Sequence, residues 1–380
     1  MIDWKKIRND FPITKKIVYF DSAAMSPIPT PVFKSLVANY QELYQYGDIN
    51  WHDDIKKYRS LCAELANLIH TDSDNVTFVP NTSTAMALVA LSFKNQFRKS
   101  FNIVSMQDEF PSSTICFEYQ NIEMRYVEPI ESRYHVKSIL ELIDDKTISV
   151  ITSYIQYSTG FRQDLYDLGR ELKKRGIIFV VNATQGFPYY PVDVKAMHID
   201  VLSASLHKWG LTGHIGSVFF TSPAFRNDFS SPIAGWLSVK TKEGEFIHTA
   251  KNAPFSLLKS AHRYNFGTYN LQSILAFQTA LNYLKDIGFK NIQNRIMKLT
   301  DYLIQGLKKL DITIVTPVAR QNERSPIVSF SLGAKNEALV RKLAEKNIHV
   351  SARGGNIRVS VNIFNNFKDI DLLLNALKSI

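Results

Sequence analysis

The sequence predicts an α/β protein built on a mostly parallel sheet with helices on both faces, followed by a smaller α+β unit. Three observations carry this: short β-branched runs alternate with helix-patterned stretches from about Thr71 to Phe220, several of those runs are apolar throughout, and the pattern changes beyond Pro254. In order, VTFVP, STAMALVALSF, FNIVSM, ISVITSYI, LYDLGRELKKR and IIFVV read as strand, helix, strand, strand, helix and strand. The clearest unit runs from Asp164 to Val181. Asp164 can cap the helix, Leu165, Leu168 and Leu172 mark one face, Gly176 stops it, and the apolar strand that follows is buried on both faces.

Beyond Pro254 come two long amphipathic stretches, LQSILAFQTALNYLKDIG and IQNRIMKLTDYLIQGLKKL. Strands follow at ITIVTP, PIVSFSL and NIRVSV, with a last helix at DIDLLLNALKSI. The expected organisation is an N-terminal arm over residues 1–20 that belongs with the small domain, a large domain over 21–254 and a small C-terminal domain over 255–380.

A chain of 380 residues, 45 % of them hydrophobic, can bury a large core and a second smaller one. No apolar stretch approaches the roughly 18 residues of a membrane span, and the opening MIDWKKIRNDFPI interleaves charged and apolar residues, so a cytoplasmic protein is expected. The only cysteines are Cys62 and Cys116, without a CxxC, and the histidines show no HExxH or other tight ligand spacing, which supports neither disulfides nor a metal site. The formal charge of +10 is spread among acidic residues with no long basic run, the mark of a solvated lysine-rich surface rather than a nucleic-acid site.

In open α/β sheets ligands sit at the carboxyl ends of strands, so polar residues directly after apolar runs are the candidates. DVLSASLHKWG ends an apolar strand in Ser205, His207 and Lys208; a lysine there, desolvated and near other cations, would have a lowered pKa and act as a nucleophile. VTFVPNTSTAMALVA passes from strand to helix with Thr82, Ser83 and Thr84 in the first turn, where free N–H groups suit a phosphate. IIFVVNATQGF delivers Asn182 and Gln185, and GGNIRVSVNIFNN sets Arg358 inside a strand, where it could grip a carboxylate. Each has an ordinary alternative: a solvated lysine, a helix cap, loop-capping amides, an arginine paired to a structural acid. Their combination carries the information.

In this order and spacing the constellations resemble the class V aminotransferase family, the branch of fold-type I pyridoxal 5'-phosphate (PLP) enzymes that includes cysteine desulfurases, selenocysteine lyases and isopenicillin N epimerase-like proteins. The resemblance spans nearly the whole chain, from Tyr19-Phe20-Asp21-Ser22-Ala23-Ala24 to Arg358, Ser360 and Asn365, and SLHKWG is its most specific piece. It implies that Lys208 carries PLP as a Schiff base, that Thr82, Ser83, Ser205 and His207 contact the cofactor phosphate, and that Gln185 approaches the phenolic oxygen. It further implies that Phe110, in QDEFPSS, stacks on the pyridine, and that Thr268, in FGTYN, reaches the phosphate of a neighbouring subunit in a homodimer. Arg358 would hold the α-carboxylate of an amino-acid substrate.

Two departures bear on the chemistry. The family's usual Asp at the pyridine nitrogen is Asn182 here, and a neutral amide cannot stabilise a protonated ring nitrogen by charge. That disfavours transamination more than β-elimination; an inactivating or introduced Asp-to-Asn change would leave the same sequence. The stretch IHVSARGGNIRVS lacks the sulfur-accepting cysteine of the desulfurases, and Cys62 and Cys116 read as structural. The expected reaction is therefore β-elimination of the C–S lyase type without a protein persulfide. The alternatives are an isopenicillin N epimerase-like epimerase, a class V aminotransferase, or a PLP-binding regulatory protein without turnover. Trp236, Phe246 and His248 are candidates for the substrate pocket or for simple packing.

Overall fold

The computed structural model describes residues 2–97, 99–241, 247–248 and 254–379. A short strand, β1 (Val18–Tyr19), precedes the strands of the main sheet: β2 (Val76–Val79), β3 (Asn102–Met106), β4 (Glu123–Val127), β5 (Thr147–Ser153), β6 (Ile178–Asn182), β7 (Val201–Ser205) and β8 (Ser217–Thr221). They lie in the order β2-β8-β7-β6-β5-β3-β4. The neighbours from β4 through β7 pair in parallel, while β8 runs antiparallel to both β7 and β2. Because β8 alone is reversed, β2 points the same way as β7. The carboxyl ends of β2, β3, β5, β6 and β7 therefore share one edge.

The two-residue period of a strand sorts its side chains between the faces. Phe179, Val181, Leu202, Ala204, Val218 and Phe220 join one buried cluster with Leu165, Leu168 and Leu172 of helix Leu165–Lys174. Val180, Val201 and Phe219 join another with Ala85, Met86, Val89 and Phe93 of helix Thr82–Gln96. The result is the expected α/β sandwich, helix on sheet on helix, with the sheet core out of water on both sides. The clearest predicted unit forms as read: the Asp164 side chain accepts from Asp167 N–H, and Gly176 takes a positive φ directly after the helix.

The second sheet consists of β9 (Thr313–Ile314), β10 (Ile327–Ser331), β12 (Ser351–Arg353) and β13 (Asn356–Ser360), ordered β12-β13-β10-β9, and β11 (Ile348–His349) pairs in parallel with β1. Val328, Phe330, Ile357 and Val359 pack there with Leu299, Leu303, Leu373 and Phe20. ITIVTP yields only a two-residue strand, because Val315 and Thr316 both donate to the carbonyl of Ser329 and the chain then leaves the ladder.

A division near residue 255 is what we propose from the change in chain pattern. Packing is shared across it: Ile274, Phe277, Leu281 and Leu284 of helix Leu271–Ile287 join the large-sheet cluster, as do Ile7 and Phe11 of the N-terminal arm. Arg8 ties that arm to the last helix through a bidentate pair with Asp369, 2.7 and 3.0 Å.

Gly216 enters β8 with φ +128°, and a Cβ there would come 2.8 Å from the carbonyl oxygen of Val79, at the end of β2. Gly216→Ala should lower stability by about 1–3 kcal/mol in denaturant unfolding, whereas an unchanged midpoint would show that the β2–β8 join tolerates a side chain.

Candidate active site

A cavity of about 330 Å3 opens at the shared edge of strand ends, closed on one side by β12 and β13 of the small sheet. The turn after β2 supplies Asn81, Thr82 and Ser83, the loop after β3 supplies Phe110 and Ser112, and β5 ends in Ser153. Asn182 ends β6 and is followed by Thr184 and Gln185; Ser205 ends β7 and is followed by His207 and Lys208. Arg358 comes from β13, Arg353 from β12, and Ala23 and Ala24 from the N-terminal segment. Except for Thr84, which bonds to the capping Asn81, the residues singled out at strand ends thus line one cavity, within the range of small-molecule sites.

Lys208 is only 9 % exposed. Burial, then the nearby Arg358 and Arg353, pull its pKa down to about 7, with Asp21 opposing. A desolvated amine beside a buried guanidinium and a second, exposed one is neutral for much of the time at physiological pH, the state a nucleophile needs. Its Nζ lies 5.4 Å from the centroid of the Phe110 ring, which is half exposed and meets Tyr157 edge to face at 5.2 Å.

The turn after β2 forms an anion cradle. Asn81 caps helix Thr82–Gln96 by accepting from Thr84 N–H, so the N–H groups of Thr82 and Ser83 lie ahead of the helical ladder. Beneath them the Thr82 hydroxyl meets those of Ser205, Thr184 and Ser217 at 2.9–3.2 Å. His207 completes the rim as a neutral ring: burial, then Lys208 and His214, lower its pKa to about 4.

Asn182 and Gln185 are buried amides with fixed orientation. Asn182 accepts from Thr184 N–H at 3.1 Å and donates to Ser113 Oγ at 2.9 Å; Gln185 accepts from the Trp209 indole at 2.8 Å and donates to Ala23 O at 2.9 Å. In each case one amide hydrogen remains for a ligand.

Arg358 is 2 % exposed. It donates to Asp21 Oδ1 and to the Tyr157 carbonyl, both at 3.0 Å, and its Nε is buried with no partner. A buried guanidinium N–H without an acceptor is costly, and a carboxylate would satisfy it. Asp21, which also accepts from Ser351 Oγ at 2.8 Å, keeps the arginine's charge compensated before any ligand arrives.

Thr268 is not brought to this cavity: it is exposed and lies outside the lining within one chain. Trp236 and His248 are likewise absent from the lining, and Phe246 lies outside the described residues. Sequence reading missed Arg353, whose NH1 donates to its own strand's Ala352 carbonyl, and the pairing of Asp21 with Arg358. The signal for Arg353 was present in SARGGNIR, a second arginine in the same hairpin as Arg358.

Comparisons with known proteins bear on the family and the fold. The family model described as Aminotransferase class-V matches residues 18–373. A probable cysteine desulfurase of Pyrococcus abyssi is 25 % identical over 406 aligned positions, covering 98 % of this chain and 96 % of that protein. The structure of a cysteine desulfurase from Thermococcus onnurineus superposes with a TM-score of 0.90 at 21 % identity, covering 100 % of this chain and 98 % of that one. The cystine C–S lyase C-DES, in complex with its product cysteine persulfide, gives 0.86 at 19 % identity over 97 % and 98 %. At these identities the structural likenesses show the fold.

Since the ammonium dominates below the Lys208 midpoint and the amine above it, modification of the cofactor-free protein by an amine-directed reagent should rise through a pH of about 7 at this lysine. Peptide mapping that placed the midpoint near the ordinary 10.5 would contradict the desolvated site.

Proposed function

The chain belongs to the class V aminotransferase family and is a pyridoxal-phosphate-dependent enzyme; from that premise we propose that it catalyses β-elimination on a sulfur-bearing amino acid. The observation that carries the proposal is the pairing, in one cavity, of the depressed Lys208 amine with the buried, unpartnered Nε of Arg358. The residues fit the cofactor. Thr82, Ser83 and Ser205, with neutral His207, would hold its phosphate, Phe110 would cover the ring, and the spare amide hydrogens of Asn182 and Gln185 would meet the ring nitrogen and phenolic oxygen.

When bound, PLP draws electron density from the α-carbon of an amino acid. Arg358 fixes the substrate through its α-carboxylate, and Asp21 holds that guanidinium in place. The Lys208 amine, neutral above its midpoint, takes the α-proton at Nζ and can pass it to the departing sulfur. Asn182 presents a neutral donor, so it favours an unprotonated ring nitrogen and a shorter-lived carbanion, which suits elimination, where the leaving group departs as the proton does.

Sulfur leaves to solution rather than to the protein. Burial pushes the thiols of Cys62 and Cys116 up to about 12, and neither lines the cavity. A cytoplasmic homodimer is part of the proposal, with Thr268 reaching the neighbouring phosphate. It is supported by the exposed apolar stripe Phe33, Val37, Tyr40 and Tyr44 on helix Thr30–Tyr46, and among the described residues no helix is long and apolar enough to cross a membrane.

Incubating the PLP-loaded protein with cystine and with cysteine distinguishes the readings. Elimination gives pyruvate and ammonia in equal amounts, and Arg358→Lys should raise KM about 100-fold through loss of planar carboxylate binding. Solvent deuterium at the α-carbon of recovered substrate would instead mark an epimerase, transfer of the amino group to a keto acid an aminotransferase, and binding without turnover a regulatory protein.

A further inference from the structure

Glu109 is a buried carboxylate that none of the chemistry above uses. It is 7 % exposed and lies next to Phe110 in the chain, yet its side chain turns away from the cavity. Oε1 accepts from Ser153 N–H at 2.5 Å and from Gln156 Nε2 at 3.0 Å, and Oε2 accepts from Ser153 Oγ at 2.5 Å. The Phe110 N–H adds a further donor, and among the described residues no lysine or arginine pairs with Glu109. Burial pushes its pKa up, the bonds from Ser153, Gln156 and Phe110 oppose that rise, and a buried carboxyl group held in this way demands that its hydrogen-bond partners stay in place.

Those donors belong to segments that meet the cavity from different directions. Ser153 lines it and sits in register with Asn182 across the β5–β6 ladder. Gln156 precedes Tyr157, whose carbonyl receives Arg358 and whose ring packs edge to face on Phe110. The other amide atom of Gln156, Oε1, is buried without a partner, so Glu109 is what anchors that side chain. One carboxylate thus connects the ring-covering loop, the strand end beside Asn182 and the turn that supports the carboxylate-binding arginine.

We infer that Glu109 is a positioning residue, whose carboxyl group locks the Phe110 loop to the Ser153–Tyr157 turn and so sets the distance between the ring-stacking and carboxylate-binding sides of the site. This rests on the functional reading only for what those two sides hold. Gln replaces it only in part, because it keeps one accepting oxygen and sets an NH2 where the second carboxyl oxygen accepts.

The test is hydrogen exchange of the full-length chain, with and without PLP, comparing wild type and Glu109→Gln. In Glu109→Gln, exchange should quicken about fivefold or more in peptides covering both 107–113 and 153–158, while helix Leu165–Lys174 keeps its protection. The circular dichroism induced in added PLP should fall by about threefold, since that signal reports a ring held in one asymmetric setting. Unchanged exchange, or loosening of only one of the two segments, would overturn the inference, as would a wild-type induced signal. If Glu109→Gln does not fold, Ser153→Ala removes the Oγ partner while keeping the Ser153 N–H and the Glu109 carboxyl group; it should loosen 107–113 across the gap, and full protection there would overturn the inference. Failure of the wild type to take up PLP would count against the functional reading, and the exchange comparison would still decide the role of Glu109.

Discussion

An amine held out of water beside a buried arginine is the constraint around which this molecule is arranged. Lys208 and Arg358 are both nearly inaccessible and share one cavity, and like charges at close quarters in low dielectric are tolerated only with compensation. The chain supplies it in two forms. Lys208 gives up its proton readily, and Arg358 is met by Asp21, 337 positions away in sequence. The protein is thereby left with an amine that is easily deprotonated and a guanidinium that has one buried N–H still unsatisfied.

The fold follows from the need to bring those groups together. A mostly parallel sheet brings the ends of β2, β5, β6 and β7 to a single edge, which places the helix N-terminus at Thr82 near Asn182, Ser205 and Lys208. The edge alone would be an open shelf. It becomes a cavity because the small sheet delivers Arg358 and Arg353, and because the N-terminal segment threads between the two sheets, pairing β1 with β11 and bonding Asp21 to both Arg358 and Ser351. The segment that follows the N-terminal arm, Asp21 to Ala24, is therefore part of the site.

Much of this was legible in the chain. Strand–helix alternation, the apolar faces of helix Leu165–Lys174 and β6, and the positions of Thr82, Asn182, Gln185, Ser205, Lys208 and Arg358 follow from local periodicity and from polar residues placed directly after apolar runs. What stayed hidden depends on contacts between distant segments. Asp21 reads as one more acidic residue until β13 is folded against it, and Glu109 sits in a loop where only the Ser153–Gln156 turn reveals its carboxylate as buried. Arg353 ends a strand of three residues, too short to read as one, so only its place in the hairpin with Arg358 marks it. Thr268 lies away from the cavity within a single chain, so its expected role belongs to a dimer.

The account stands or falls on Lys208 as the residue that carries the cofactor. Borohydride reduction of the PLP-loaded protein, followed by peptide mass analysis, tests it directly. The account predicts a single pyridoxyl group on the peptide that contains Lys208, and its loss in Lys208→Ala. Label on a different lysine, or a protein that takes up no PLP and yields no labelled peptide, would contradict it.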